Sequence, residues 1–483
     1  MTDQAVIDVA EADQVQDVYA PTAGDIVDLM MSILSDRVDH PEVWRQIPIF
    51  LEHLPDLPTV ISQRLNWESD EAARGALVLI LIMCFAARGQ IDFALEKIEP
   101  LAIAYSQSAQ VQGAVFYLNS LKDPENPKYN LQGKICPSPF IQLDVLERSS
   151  HLCCASWLQE SAGDLSTTAW EEVWNSEKAQ QIRASIHDGS YRYCNKMACP
   201  KIHANDLIPA EEIATTSDLW QRIIEIGATE LPVGPEVVNL AYDRTCNLSC
   251  PSCRTEKWAA DEETRQAYDE MQRTKILPLL KDAKTVFVTG SGDPFASKNF
   301  RRLMLELTPE DYPELKFQIM TNGMLFTPKQ WEAFPTLHGR TKILKVSIDA
   351  AEGPTHELLR RGARWPVMLE NMMFAGELTK QGLVDHYELV FTVQQENFRE
   401  MGDAVDLAKR VGASGIYFAR ITNWGTFSHA EYAHKAVFQP SHPEYAEFIS
   451  AMQDPRLRDP MVLLGDLHEF IDEPVGEHRS FTH

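Results

Sequence analysis

The 483-residue sequence sets 44 Lys and Arg against 70 Asp and Glu, a formal charge of −26, so most of its surface repels phosphate backbones and anionic lipid heads. Nucleic acid and membrane partners are therefore not expected. With 44% hydrophobic content the chain can bury substantial cores, enough for two or three domains.

The N-terminus, MTDQAVIDVAEADQVQDVYAPTAGD, is acidic and lacks the basic start and apolar core of a signal peptide; residues 1–24 read as a mobile tail and the protein as cytoplasmic. In a reducing compartment, clustered cysteines favour metal over disulfides. From 25 to 121 apolar residues recur at helical spacing (Ile26, Met30, Ile33, Leu34), which predicts a helical domain. Its longest apolar run, ALVLILIMCFAA (76–87), is too short to span a bilayer and reads as a buried helix with an inert Cys84. KDPENPKYN (122–130) is a linker by its Pro, Asp and Asn.

Between 131 and 205 stand Cys136, the pair Cys153 and Cys154, then Cys194 and Cys199, four of which suffice for one metal centre. FIQLDVLERSSHLCC predicts a short hairpin. TTAWEEVWNSEKAQQIRASIHDG predicts a helix with Trp170, Val173 and Trp174 on one face, returning the late cysteines to the early ones.

From about 236 β-rich runs alternate with helix-length intervals: VVNLAYD (237–243), TVFVTG (285–290), LKFQIMT (315–321), ILKVSID (343–349), YELVFTV (387–393) and GIYFARI (415–421). Such alternation predicts parallel βα units wound one way, an α/β fold with a partial (β/α)6 TIM-like barrel over 236–430 and a C-terminal extension over 431–483. Sites in such folds lie at the strand C-termini, where CNLSCPSC (246–253) falls. Three thiolates on one loop can hold three irons of a [4Fe–4S] cluster and leave the fourth open. A zinc ribbon wants a second pair nearby and a redox pair needs only two thiols.

The chain here resembles the radical SAM superfamily. The resemblance covers roughly residues 236–430 and rests on Cys-x3-Cys-x2-Cys after the first strand, TGSGDPF (289–295) after the second, TNG (321–323) after the third and SID (347–349) after the fourth. It implies that Cys246, Cys250 and Cys253 bind a [4Fe–4S] cluster whose open iron takes S-adenosylmethionine, reductively cleaved to a 5′-deoxyadenosyl radical. It further implies a cofactor-binding role for Gly290, Ser291, Gly292 and Asp293, the last adding negative charge near the methionine ammonium, although the family's usual Gly-Gly-Glu is here Gly-Ser-Gly-Asp. Ser347, Asp349, Gln394 and Asn397 are candidates for ribose and carboxylate contacts, or for caps at strand-to-helix turns. Ser252 stands where many relatives carry an aromatic.

The upstream group resembles the SPASM or twitch auxiliary module, here placed ahead of the barrel. CPSPF, CC, GDLSTTAWEEVWNSEKAQQIR and C-x4-C carry that resemblance. It implies a second [4Fe–4S] cluster on Cys136, Cys194, Cys199 and Cys154, with Cys153 as the alternative to Cys154; a structural zinc site on the same ligands is the competing reading. The expected order is thus helical domain, small α+β auxiliary module, partial barrel. The expected activity is hydrogen abstraction leading to net oxidation or bond formation on a peptide or small metabolite, with flavodoxin or ferredoxin as electron donor. The alternatives are redox-neutral epimerisation and a non-catalytic iron–sulfur electron carrier. His187, His203 and His429 read as ordinary polar groups, Arg360 and Arg361 as partners of the protein's own carboxylates rather than of substrate, and Trp424 as a rim residue or a stacking surface.

Overall fold

The computed structural model describes residues 21–289 and 291–471. The expected tail lies outside the described residues up to position 20, but its last residues are structured: a helix begins at Ala23, with Thr22 and Asp25 forming a reciprocal capping box. Five further helices follow, Pro41–His53, Leu57–Leu65, Glu71–Ala87, Ile91–Ala104 and Ala109–Lys122, so the region is helical as the periodicity predicts. The apolar run forms most of Glu71–Ala87, started by an Asp70 cap, and burial pushes the Cys84 thiol up to about 12, consistent with an inert packing role. Among the described residues no helix is long and apolar enough to cross a membrane.

The rest is built on a mixed α/β framework. A small antiparallel pair joins β1 (Lys134–Ile135) to β4 (Ile208–Pro209). The hairpin predicted at 140–154 is present as β2 (Gln142–Val145) and β3 (Ser150–His151). All six predicted βα strands are present as β5 (Val237–Leu240), β6 (Thr285–Val288), β7 (Lys316–Thr321), β8 (Thr341–Ser347), β9 (Val384–Val393) and β10 (Gly415–Arg420). With β11 (Val462–Leu463) they form one sheet in the order β11-β10-β9-β8-β7-β6-β5-β2-β3, parallel from β11 to β2. The 131–205 region and the C-terminal extension therefore each add strands to this sheet instead of standing apart, and one core runs from Val145 and Trp174 through Val238 to Leu467. The helical domain keeps its own core around Trp44, Leu77 and Ile80.

Strand alternation divides the sheet's faces. One carries Val238, Leu240, Val286, Val288, Ile319, Leu344, Val346, Leu389, Phe391, Ile416 and Phe418, all sealed in the core. The register sets Asp144, Asn239, Phe287 and Gln318 side by side on the other, with Lys345 beside Glu388 and Val390 beside Tyr417. A run of fully buried parallel strands would be apolar on both faces; this second face holds a Lys345–Glu388 ion pair at 3.1 Å instead.

The helix expected over 167–189 is two helices, Trp170–Trp174 and Glu177–His187. Asn175 breaks the run because its side chain is engaged elsewhere: it donates to the Leu231 carbonyl and accepts from the Leu231 amide and from Arg183, and Ser176 then caps the second helix. Val173 and Trp174 are buried as expected, whereas Trp170 is only half-buried.

Candidate metal and cofactor site

Cys246, Cys250 and Cys253 gather at the loop after β5 in a nest with Leu248, Ala363 and Met324. Each sulfur meets a donor. Cys246 Sγ accepts from the Leu248 amide and from Asn322 Nδ2, both at 3.5 Å, and Cys253 Sγ accepts from Arg254 Nη2 at 3.4 Å. Cys250 is hydrogen-bonded by Arg360. Burial pushes the Cys246 and Cys250 thiols up, while the Leu248 amide and the Arg360 charge pull the other way.

The loops after β6, β7 and β8 converge on this nest. Gly290 lies outside the described residues. A Cβ on Gly292 would sit 2.5 Å from the Asp243 carbonyl and 2.7 Å from that of Thr245, so only glycine lets this loop press against the start of the cysteine loop. Ser291 donates its hydroxyl to the Ala241 carbonyl, and its own carbonyl accepts from Arg254.

Asp293 is engaged by the protein's own groups. Its side chain is fully buried, and its carboxylate accepts from Thr321 Oγ1 (2.7 Å) and from the amides of Asn322 (2.9 Å), Phe295 (3.1 Å) and Ala296 (3.2 Å). These bonds tie the β6 loop to the TNG turn, and burial raises the Asp293 pKa.

Asp349 and Asn397 are likewise spent inside the protein. Asp349, at φ +54°, accepts from the Thr392 amide at 2.8 Å and pairs with Arg360 Nε at 2.8 Å; Asn397 donates to the carbonyls of Asp349 and Thr392 and accepts from the Gln394 amide. Asn397 stands at the N-cap of the Phe398–Glu400 turn, but its side chain makes no hydrogen bond into that turn. Ser347 and Gln394 are buried, and among the described residues their side chains make no hydrogen bond. Arg360 pairs with the protein's own carboxylate as expected, whereas Arg361 donates to the carbonyls of Ser249 and Thr255. His187 and His203 donate to the carbonyls of Ala228 and Met197, ordinary roles, and Trp424 is exposed.

The second cysteine group differs in character. The largest influence on Cys153, Cys194 and Cys199 is burial, which pushes all three thiols up, Cys199 to about 12; next come one another and Cys136. Cys154, pushed up to about 11, has Asp144 as its electrostatic neighbour after burial, and not Cys136, Cys194 or Cys199. Adjacent residues in a turn face different ways, and here it is Cys153 whose neighbours include Cys136 and Cys199. The proximity thus favours Cys153 over the expected Cys154 as fourth ligand. Asp144 accepts from Gln142 (2.6 Å) and Asn239 (2.8 Å), and burial pushes its carboxyl up to about 6. Cys154 and Cys199 also act on Tyr417 of β10, so the group sits on the polar face of the sheet. Among the described residues no three His, Cys, Asp or Glu side chains converge closely enough to hold a single ion. A cubane carries its thiolates on separate irons and spreads them wider than one tetrahedral ion does.

The sequence reading missed three donors: Arg254, Asn322 and the buried Lys196 of the Cys194–Cys199 loop. Lys196 pairs with Asp39 of the helical domain, and Asp39 also accepts from Trp44 Nε1 at 2.9 Å. Asn322 falls inside the TNG motif, which gave it no role of its own, and lone residues such as Arg254 and Lys196 carry no spacing signal that could have found them.

No protein-family model and no curated protein matches the chain. Partial structural likeness exists to solved enzymes. SuiB of Streptococcus suis bound to precursor peptide SuiA is 14% identical over 52% of this chain and 55% of that one, with a TM-score of 0.32. AnSMEcpe with bound AdoMet and Cp18Cys peptide is 16% identical over 39% and 51%, TM-score 0.29. BtrN in complex with AdoMet and 2-DOIA is 18% identical over 28% and 50%, TM-score 0.19. The chain spans about half the length of each of these structures.

Proposed function

We propose that the protein is a radical SAM enzyme, with a partial barrel over 236–430 and a SPASM- or twitch-like auxiliary site over 131–205. The observation that carries the reading is the nest of Cys246, Cys250 and Cys253, three thiols at strand ends, each met by its own donor, with the β6 and β7 loops closed around them. The donor set suits a [4Fe–4S] cluster: three thiolates, no fourth cysteine on the loop, and amide and guanidinium groups placed to hydrogen-bond sulfur. When bound, that cluster supplies an electron to S-adenosylmethionine and so yields a 5′-deoxyadenosyl radical.

The chain's own residues have distinct tasks. Gly292 and Ser291 hold the cofactor loop against the cysteine loop; Asp293 fixes Thr321 and Asn322; Asp349 and Asn397 fix Arg360. Ser347 and Gln394, buried and with no side-chain partner among the described residues, are the groups left for ribose or carboxylate contacts. Cys136, Cys153, Cys194 and Cys199 would hold a second [4Fe–4S] cluster.

The reaction is hydrogen abstraction with net oxidation or bond formation on a peptide or small metabolite, fed by a flavodoxin or ferredoxin. Redox-neutral epimerisation is the second reading, favoured by Cys154, a thiol set apart from the four and close to Asp144 and Tyr417. Anaerobic reconstitution followed by iron, sulfide and 5′-deoxyadenosine assays tests the proposal. About eight irons per chain and slow cofactor cleavage with a strong reductant are expected; an iron-loaded protein that forms no 5′-deoxyadenosine would sink it.

A further inference from the structure

The three thiols of the first nest are not equivalent in charge. Cys246 meets two neutral donors, the Leu248 amide and Asn322. Cys250 meets Arg360, whose charge is balanced by Asp349 at 2.8 Å. Cys253 meets Arg254, and among the described residues Arg254 makes no ion pair with a carboxylate. Its guanidinium donates instead to the Arg244 carbonyl at 2.6 Å, to the Ser291 carbonyl and to Cys253 Sγ at 3.4 Å. The side chain is buried, so this charge is poorly screened, and the groups that act on it most favourably are the thiols of Cys253, Cys246 and Cys250.

We infer that Arg254 is a positioning residue that sets the reduction potential of the cluster at Cys246, Cys250 and Cys253, by holding one uncompensated positive charge against a thiolate ligand and joining the cysteine loop to the β6 loop. The inference rests on the reading of these cysteines as cluster ligands. Hydrogen bonds to ligand sulfur and net charge around a cluster are the levers by which a protein tunes it. A cation favours the reduced, more negative state; removing it favours the oxidised one. The Arg360–Asp349 pair is neutral as a unit, so its joint neutralisation has a smaller effect than loss of Arg254 alone. The fork geometry matters as well, since three acceptors on two loops are held by one planar group.

The test is an EPR-monitored redox titration of the reconstituted full chain, following the signal that changes on adding S-adenosylmethionine, for wild type, Arg254→Gln, Arg254→Lys and Asp349→Asn with Arg360→Gln. Arg254→Gln is expected to favour the oxidised state about tenfold, about 59 mV for a one-electron couple. Arg254→Lys should stay within about threefold of wild type, and the paired variant should shift less than Arg254→Gln. An unchanged midpoint in an iron-replete Arg254→Gln protein overturns the inference. Should that variant lose iron, Arg254→Lys decides: a midpoint at the wild-type value supports the charge, and a tenfold displacement overturns it. Absence of iron in the wild type itself would show that the functional reading, not the role of Arg254, has failed.

Discussion

The two cysteine groups solve the burial of thiolate charge in opposite ways. At Cys246, Cys250 and Cys253 the protein supplies its own compensation: an amide, a carboxamide and two arginines. At Cys136, Cys153, Cys194 and Cys199 it supplies little. Burial and mutual repulsion dominate at Cys153 and Cys194, Lys196 beside Cys194 is already paired with Asp39, and Cys199 alone draws on the Lys201 and Ile202 amides and the Lys201 charge. A thiol pushed well above its usual range stays protonated until a metal displaces the proton, so the second group depends on its metal for charge balance far more than the first does. On the proposed reading, the first site is prepared in advance of its cluster and the second is completed by it.

Removing each set of thiols should break this comparison most sharply. Changing Cys246, Cys250 and Cys253 together to Ala is expected to reduce 5′-deoxyadenosine formation to background. Changing Cys194 and Cys199 to Ala should leave cofactor cleavage within about tenfold of wild type while blocking completed oxidation of the true substrate. Circular dichroism must show both proteins folded, because metal and folding are coupled in the second region. A folded Cys194/Cys199 variant that turns over substrate at the wild-type rate would make the auxiliary site structural.

A finer cut lies within the cysteine pair. Cys153→Ser should lower iron from about eight to about four per chain, whereas Cys154→Ser should keep about eight. The reverse pattern would restore Cys154 as the ligand.

Asp39 offers a cut from outside the cysteines. Its carboxylate joins the helical domain to the Cys194–Cys199 loop through Lys196, and a Cβ on Gly113 would lie 2.1 Å from its Cγ, so the space for it is built in. Asp39→Ala leaves Lys196 buried and unpaired, which costs about 3–5 kcal/mol. The variant should lose thermal stability and auxiliary iron while keeping the first cluster's spectrum; equal loss at both sites would show that the helical domain supports them alike.

Much of this was legible from the chain. Alternating β-rich runs and helix-length intervals predict six parallel strands because a parallel connection needs a crossover of helix length, and all six are present. The cysteine loop was legible because three thiols in eight residues have few other uses. What stayed hidden was direction. Asp293, Asp349 and Asn397 at strand ends read as cofactor contacts, yet loop amides and Arg360 absorb them, and no spacing rule says where a carboxylate will point. Cys153 and Cys154 are neighbours in the chain and face different partners. The break at Asn175 depends on Leu231, 56 residues away, and the joining of β2 to β5 depends on a pairing that local periodicity cannot register.

Acid should separate the two sites by a smaller margin, through two buried histidines. Burial lowers the pKa of His203, which donates to the Met197 carbonyl in the cysteine loop, from 6.5 to about 4. His356, which donates to the Ile348 carbonyl beside Asp349, is lowered from 6.5 to about 4 by burial and then by Arg360. For both groups the unfolded chain binds the proton more readily than the folded one. Their contribution is therefore intact above pH 6.5 and is lost as pH falls from there toward 4. At pH 5 each would have forfeited on the order of 2 kcal/mol, read as a falling melting temperature of the metal-free protein. His203→Gln should flatten that fall and preserve auxiliary reconstitution in acid, and His356→Gln should do the same for the first site. If both variants track the wild-type slope between pH 7 and 5, these histidines are not the groups that charge on unfolding; Asp144 cannot stand in for them, because a carboxyl raised to about 6 in the folded protein takes up its proton there first and gains stability as pH falls.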